Sequence, residues 1–379
     1  MAHVDAAADR GTFAILTIDL AAVVENYRML AAKVAPAECA GVVKADAYGL
    51  GVEWVAPALW RAGCRTFFVA AFAEGLALRD LLPEATIYVL NGLHGIEPKE
   101  FAATQLRPVL VSRREIDSWL GSRDDKRNAR FGLHLDTGMA RLGMPPDEFD
   151  ALIGDRDVVD RLHPNLVMSH FACADTPDHP LNREQAHRFR DALGRLKLPN
   201  YTTRSLAASS GIFLGAESAF DLVRPGAALY GIAPMPDRPN PMRQVVRLQA
   251  KILQVRRVDA GSTVGYGATH RFARQSRLAT IGVGYADGFM RSLSNRGGAY
   301  IGDRRAPIVG RVSMDLVTID IADIPEHEAQ VGTWVDLIGQ HNPVDAVAAE
   351  AGTIGYEILT SLGRRYHRRY LDAGAAGAR

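Results

Sequence analysis

A few residues in this chain stand where their types could do chemistry. Lys44 closes the apolar run GVVK (41–44) inside VVKADAYGLG. Burying a lysine's charge at the end of a strand is costly. It is therefore either an amine that reaches solvent or an amine of lowered pKa able to form a Schiff base. Position alone leaves these two readings even. Tyr48, next to Gly49, could offer its hydroxyl to an anion or simply fill a core. Arg141, five residues beyond Asp136 in HLDTGMARLG, could grip a carboxylate in a two-pronged fork or form a surface ion pair. Ser169 and His170 end another run, where a core histidine is the default. Ser209, Ser210 and Gly211, and Arg224, Pro225, Gly226 and Ala227, end two more; small and hydroxyl residues suit a backbone anion cradle. GYG at 265–267 exposes Tyr266 on a turn, where a tyrosine is usually a packing residue. Tyr285 lies in VGYADG, Met314 and Asp315 in GRVSMDL, and Tyr356 in TIGYE.

The elements that must position these residues follow a pattern. A helix is expected from Asp19, its N-cap, because Leu20, Val23, Val24, Tyr27 and Leu30 recur at helical spacing. Eight apolar runs follow, at 41–44, 66–70, 87–90, 108–111, 132–136, 165–170, 204–209 and 222–226. Helix-like gaps separate most of them, including 52–62, 72–82, 113–120 and 182–195; the gap between the last two runs is short and weak. Eight β/α units in this length predict a parallel (β/α)8 barrel, with a doubly wound sheet as the alternative. In a barrel, active-site groups gather at the C-terminal strand ends and phosphate binds near the last two strands. Pro234, Pro236, Pro239 and Pro241 then break the pattern. Residues 244–340 read as short strands and turns, a mainly antiparallel β domain, with helices at 344–351 and near 356–362. The expected division is 1–18 as a strand pairing with the β domain, 19–242 as the barrel and 243–379 as the β-rich domain.

Bulk properties exclude several classes. The 379 residues carry 44 Lys+Arg against 43 Asp+Glu, a net charge of +1, which gives no reason to expect nucleic acid or a membrane surface as partner. Arg364, Arg365, Arg368 and Arg369 cluster near the end and read as a solvated segment. Cys39, Cys64 and Cys173 form no C-x-x-C pair, which fits a reducing, cytoplasmic compartment. Neither a metal-ligand spacing nor a signal peptide or membrane-spanning run is seen. The glycines at 282 and 284 do not make a dinucleotide fingerprint.

Taken together, VVKADAYGLG, LDTGMARLG, SHFACAD, LVRPGAALYG, GYGATH, IGVGYADGF, GRVSMDL and TIGYE, in that order over nearly the whole chain, resemble the alanine racemases, a family of fold-type III pyridoxal-phosphate enzymes. The resemblance implies a barrel, a C-terminal β domain and a head-to-tail homodimer. It implies that Lys44 holds pyridoxal 5′-phosphate as a Schiff base, and that Tyr48, Ser210, Gly226, Ala227 and Tyr356 hold its phosphate. Arg224 would face the pyridine nitrogen with His170 behind it. Arg141 would contact the substrate carboxylate, and the second subunit would contribute Tyr266, Tyr285 and the Met314 backbone. Racemisation needs a base on each face of the substrate, and Lys44 and Tyr266 would be the pair. A phenol serves as a base near neutrality only where its surroundings favour phenolate.

One position departs from the family pattern. Many members carry a carbamylated lysine two residues before the Asp of DTGM; here it is His134, so the negative partner expected beside Arg141 is missing or replaced. A neutral imidazole is expected there. Alanine is favoured as substrate by the resemblance and by bulky Tyr285 and Tyr356. The alternatives are a broad-specificity racemase, an amino-acid decarboxylase of the same fold type, and a non-catalytic pyridoxal-phosphate carrier. GYG and Arg224 favour a racemase over a decarboxylase, and the second domain argues against the carrier.

Overall fold

The computed structural model describes residues 11–122 and 130–371. The chain divides into two compact units: one combines the segment up to Ala22 with that from Gln244 onward, and the other is Val23–Arg243.

In the unit from Val23 to Arg243, seven strands pair in parallel in chain order: Gly41–Val42, Thr66–Val69, Thr86–Val89, Arg107–Leu110, Gly132–His134, Leu166–Met168 and Thr203–Ser205. An eighth, Leu222–Val223, pairs in parallel with Glu38–Cys39, the start of the first. It meets the seventh through an Ala208–Arg224 bridge and the Arg224 N–H donating to the Ala207 carbonyl. The ring is closed, and each of the eight expected runs supplies a strand. Strands buried on both faces must be apolar throughout; Phe67, Phe68, Val109, Leu110, Leu133, Leu166 and Val167 are fully buried. Helices Val52–Arg61, Phe72–Leu81, Pro98–Thr104, Arg113–Gly121, Pro146–Gly154 and Pro180–Arg195 fill most gaps. Only short 3-10 turns, Ser210–Phe213 and Ala216–Ser218, separate the last two strands.

Helix Leu20–Val34 starts where expected. The Asp19 carboxylate accepts the Ala22 N–H at 2.9 Å, and Leu20, Val23, Val24, Tyr27 and Leu30 are buried. In the other unit, Ala14–Asp19 lies between Val246–Val258, antiparallel, and His367–Leu371, parallel. The 13-residue strand Val246–Val258 also pairs antiparallel with Ser276–Ile281 and Trp334–Ile338, its register shifting at irregularities along the way. Strand Val317–Asp320 and the hairpin Gly298–Ile301/Arg304–Pro307 extend the sheet; helices Val344–Ala351 and Gly355–Ser361 follow.

The arginine-rich end departs from the sequence reading. Arg365 is bound to Asp287 at 2.7 Å and to Asp315 at 2.8 Å, and His367–Leu371 is a sheet strand rather than a solvated tail. Charge density hid the strand, because the adjacent pairs Arg364/Arg365 and Arg368/Arg369 leave no apolar run to detect. Among the described residues, no helix is long and apolar enough to cross a membrane.

Candidate active site

Lys44 follows the first barrel strand directly, at its C-terminal end. The chain then does something unusual. Ala45, Asp46, Ala47 and Tyr48 all have φ between 52° and 57°, a full left-handed turn without a glycine. L-residues visit this region singly, because Cβ crowds the following carbonyl. The turn is held by Ala47 N–H to the Val43 carbonyl (3.0 Å), Gly51 N–H to the Asp46 carbonyl (2.9 Å), and Val52 N–H to the Asp46 carboxylate (2.8 Å). Ala45 N–H donates to Glu74 Oε1 at 2.7 Å. Burial first, and then the Arg141 charge, hold the Lys44 amine below the usual lysine range; Glu74 opposes them.

Tyr48, at the far end of the turn, is buried and packs on Tyr230 with ring centroids 4.8 Å apart. Its hydroxyl occupies the space beside Gly226: a Cβ built there would lie 2.2 Å from Tyr48 Oη. Glycine is thus a steric requirement at 226. Ser209, rather than Ser210, stitches the loops after the last two strands, its Oγ accepting the N–H groups of Gly226 (3.1 Å) and Ala228 (3.2 Å). Ser210 and Ala227 each begin a 3-10 turn beside it.

Arg224 forms a buried wall. It donates to Ser205 Oγ, to the Ser169 carbonyl (2.6 Å) and to the Leu206 carbonyl (3.3 Å), and lies 3.5 Å from His170 Nδ1. Burial pulls its pKa down to about 9, so it is still charged at neutral pH. Burial, followed by Arg224 and Arg141, pushes His170 down to about 3. His134 falls to about 4, through burial and then Arg224, against a smaller opposing pull from Asp136. Both rings are neutral at pH 7. His134 Nδ1 is buried without a hydrogen-bond partner. Asp136 is occupied with the N–H groups of Gly138, Met139 and Ala140. The barrel mouth is therefore rich in positive charge and poor in negative charge.

Sequence reasoning missed the groups that brace this wall. Gln185, fully buried on helix Pro180–Arg195, donates to the His170 carbonyl at 2.8 Å and accepts from Ala172 N–H at 2.8 Å. Thr137 Oγ1 and Ser169 Oγ lie 2.7 Å apart. Glu74 reads in sequence as an ordinary acid in a helix's first turn.

The remaining candidates lie in the other unit. Tyr266 is 73% exposed, on a turn whose Gly265 and Gly267 both have φ of 72°. Cβ atoms at 265 and 267 would meet the Arg311 backbone at 3.3 Å and its guanidinium at 3.2 Å. Loop 284–288 crosses loop 313–316: Tyr285 N–H donates to the Ser313 carbonyl and Ala286 N–H to the Met314 carbonyl, both at 3.0 Å. Arg365 clamps the two loops through Asp287 and Asp315. Tyr285, Met314 and Tyr356, the last on helix Gly355–Ser361, are all exposed.

A closed barrel presents at one end of its strands a depressed-pKa lysine, a charged arginine wall and a glycine-dependent loop, groups with the chemistry to receive a small anionic ligand. Comparison with known proteins narrows the class. Residues 18–234 match the family description "Alanine racemase, N-terminal domain" and 245–370 match "Alanine racemase, C-terminal domain". The chain belongs to the alanine racemase family. It is 52% identical to an alanine racemase of Rhodospirillum rubrum, over 96% of each chain. It is 44% identical to the biosynthetic alanine racemase of Agrobacterium fabrum, over 94% of each. The crystal structure of alanine racemase from Bartonella henselae with covalently bound pyridoxal phosphate superposes with a TM-score of 0.90 at 43% identity, covering 95% of this chain and 99% of that one.

Proposed function

We propose that this chain is a pyridoxal 5′-phosphate-dependent racemase interconverting L- and D-alanine, with Lys44 and Tyr266 as bases on opposite faces of the substrate. The observation that carries it is the Lys44 amine, half-buried, lowered in pKa and placed at the barrel mouth among Arg141, Arg224 and His170.

The residues present fit the cofactor. The Tyr48 hydroxyl lies so close to Gly226 that a Cβ there would displace it, which sets that hydroxyl beside the backbone N–H groups of the last loop; Tyr48, Ser210, Gly226, Ala227 and Tyr356 would hold the phosphate. Lys44 would hold the cofactor covalently. When bound, pyridoxal phosphate supplies carbanion stabilisation. The chain's own residues do the rest. A lowered pKa keeps more of the Lys44 amine neutral near pH 7, so it can take the α-proton on one face; we assign it the D-isomer's proton. Tyr266 takes the L-isomer's proton on the other. Arg141 would grip the substrate carboxylate, and Tyr285 and the Met314 backbone would bound the pocket at alanine's size. Arg224, charged and held by neutral acceptors, would not readily give up a proton to the ring nitrogen of a bound cofactor, which would disfavour side reactions such as transamination. His170 braces it.

Tyr266, Tyr285 and Met314 are exposed, and we place them in the site of a second copy, giving a homodimer with shared sites, working in the cytoplasm. Borohydride reduction followed by peptide mapping tests the anchor: the pyridoxyl group belongs on Lys44, and label on another lysine overturns the assignment. Mixing inactive Lys44→Ala and Tyr266→Phe chains tests the sharing: activity returns if one site per heterodimer is intact, and no recovery after proven subunit exchange refutes it.

A further inference from the structure

The left-handed turn at 45–48 poses a mechanical problem. Four consecutive L-residues each sit in a conformation disfavoured by about 5- to 30-fold. Such a run persists only where its surroundings over-determine it. At its two ends stand two residues that the proposed function puts on the cofactor, Lys44 just before it and Tyr48 at its close.

One side chain from outside the segment grips the beginning of this turn. Glu74 Oε1 accepts the Ala45 N–H at 2.7 Å. Its other oxygen accepts the N–H groups of Ala70 (2.7 Å) and Ala71 (3.1 Å), immediately after the second barrel strand Thr66–Val69. A single carboxylate thus bolts the strained turn after the first strand to the end of the second. Charge-assisted hydrogen bonds of this length are the strong kind. An ordinary first-turn acid needs only the bonds to Ala70 and Ala71 to cap its helix. The bond to Ala45 has no role in that capping.

We propose that Glu74 is the positioning residue for the cofactor lysine: it pins the left-handed turn and so fixes where the Lys44 amine and the Tyr48 hydroxyl point. The inference rests on Lys44 anchoring pyridoxal phosphate. The charges facing Lys44 also make Glu74 chemically visible. Arg141 and burial push its proton off and Glu74 holds it on, with His170 neutral nearby.

The test uses the full chain titrated with pyridoxal phosphate, reading affinity by absorbance, the pH dependence of the attachment rate, and the labelled residue by borohydride reduction and mapping. Wild type must first carry the label on Lys44; a label elsewhere refutes the proposed function and not this step alone. With that in place, Glu74→Ala is expected to weaken cofactor binding by roughly 30- to 100-fold. Glu74→Gln keeps one acceptor oxygen and loses about tenfold, and its attachment profile moves to lower pH. Ala45 is exposed, and Ala45→Gly makes the left-handed conformation cheap. Added to either Glu74 variant it should restore affinity about fivefold or more. A helix cap alone would show no such rescue. The inference is overturned if Glu74→Gln binds within twofold of wild type with an unmoved pH profile, or if glycine at 45 restores nothing. Should Glu74→Ala fail to fold, the Glu74→Gln pair decides.

Discussion

The two residues proposed as bases sit in contrasting surroundings. Lys44 is half-buried, framed by Arg141 and Glu74, and followed by a turn held out of its preferred conformation. Tyr266 is 73% exposed on a glycine-flanked turn laid against Arg311. The barrel prepares both the position and the chemistry of its base. The β unit uses the freedom of Gly265 and Gly267 to present a phenol on a fixed turn. The difference is one of surroundings: Lys44 is enclosed by its own barrel, while Tyr266 stands open to a second surface, which is why we place it in a partner's site.

Substitutions at the two bases should separate these modes of preparation. Lys44→Ala is expected to abolish cofactor anchoring and lower kcat/KM by at least about 10⁴-fold, measured by racemisation of either isomer. Tyr266→Phe should cost about 10²- to 10⁴-fold, the usual worth of a general base. It should leave the melting temperature unchanged, because an exposed substitution seldom moves stability by more than about 0.5 kcal/mol. A large drop in melting temperature would mean that the Tyr266 hydroxyl supports packing, within its own chain or against a second copy.

The buried barrel side predicts an acid sensitivity. His134 and His170 titrate near 6.5 unfolded but are pushed to about 4 and about 3 in the fold. Between pH 6.5 and those values the unfolded chain binds more protons, so the stability present above pH 6.5 is lost as pH falls. The expected slope is about 1.4 kcal/mol per pH unit for each histidine within its window. Urea unfolding at pH 7, 6 and 5 measures it, and His170→Asn should remove one proton's share.

The smallest effect is expected at His134. Its Nδ1 has no hydrogen-bond partner, so it does not steer Arg141 through that atom. His134→Ala should raise KM for alanine by no more than about threefold, under 1 kcal/mol, and activity should not depend on added bicarbonate. A larger rise would make His134 an orienting group.

How much was legible follows the physics of each element. Most barrel strands are buried on both faces and appear in sequence as short apolar runs, and even Thr203–Ser205, with Arg204 exposed, borders the apolar residues 206–208, so all eight could be read, and with them the position of Lys44. The left-handed turn could not, because ADAY contains no glycine to announce positive φ and its hold comes from Glu74, 29 residues away. Gln185 was hidden for the same reason: its bonds to the loop around His170 are long-range. Arg365 looked like solvated charge until Asp287 and Asp315 appeared beside it. The assignment of Tyr266 as a base came from the motif resemblance; nothing in its local sequence separates a base from a packing residue.

The division of labour between the two bases is tested most directly by single-turnover isotope exchange. In steady state the equilibrium between mirror-image isomers forces kcat/KM to fall equally in both directions, so only the isolated half-reactions can distinguish the faces. For Tyr266→Phe, loss of the α-hydrogen from L-alanine in heavy water should slow far more than loss from D-alanine, with Lys44 still serving the D-isomer. Equal slowing of the two would contradict the account.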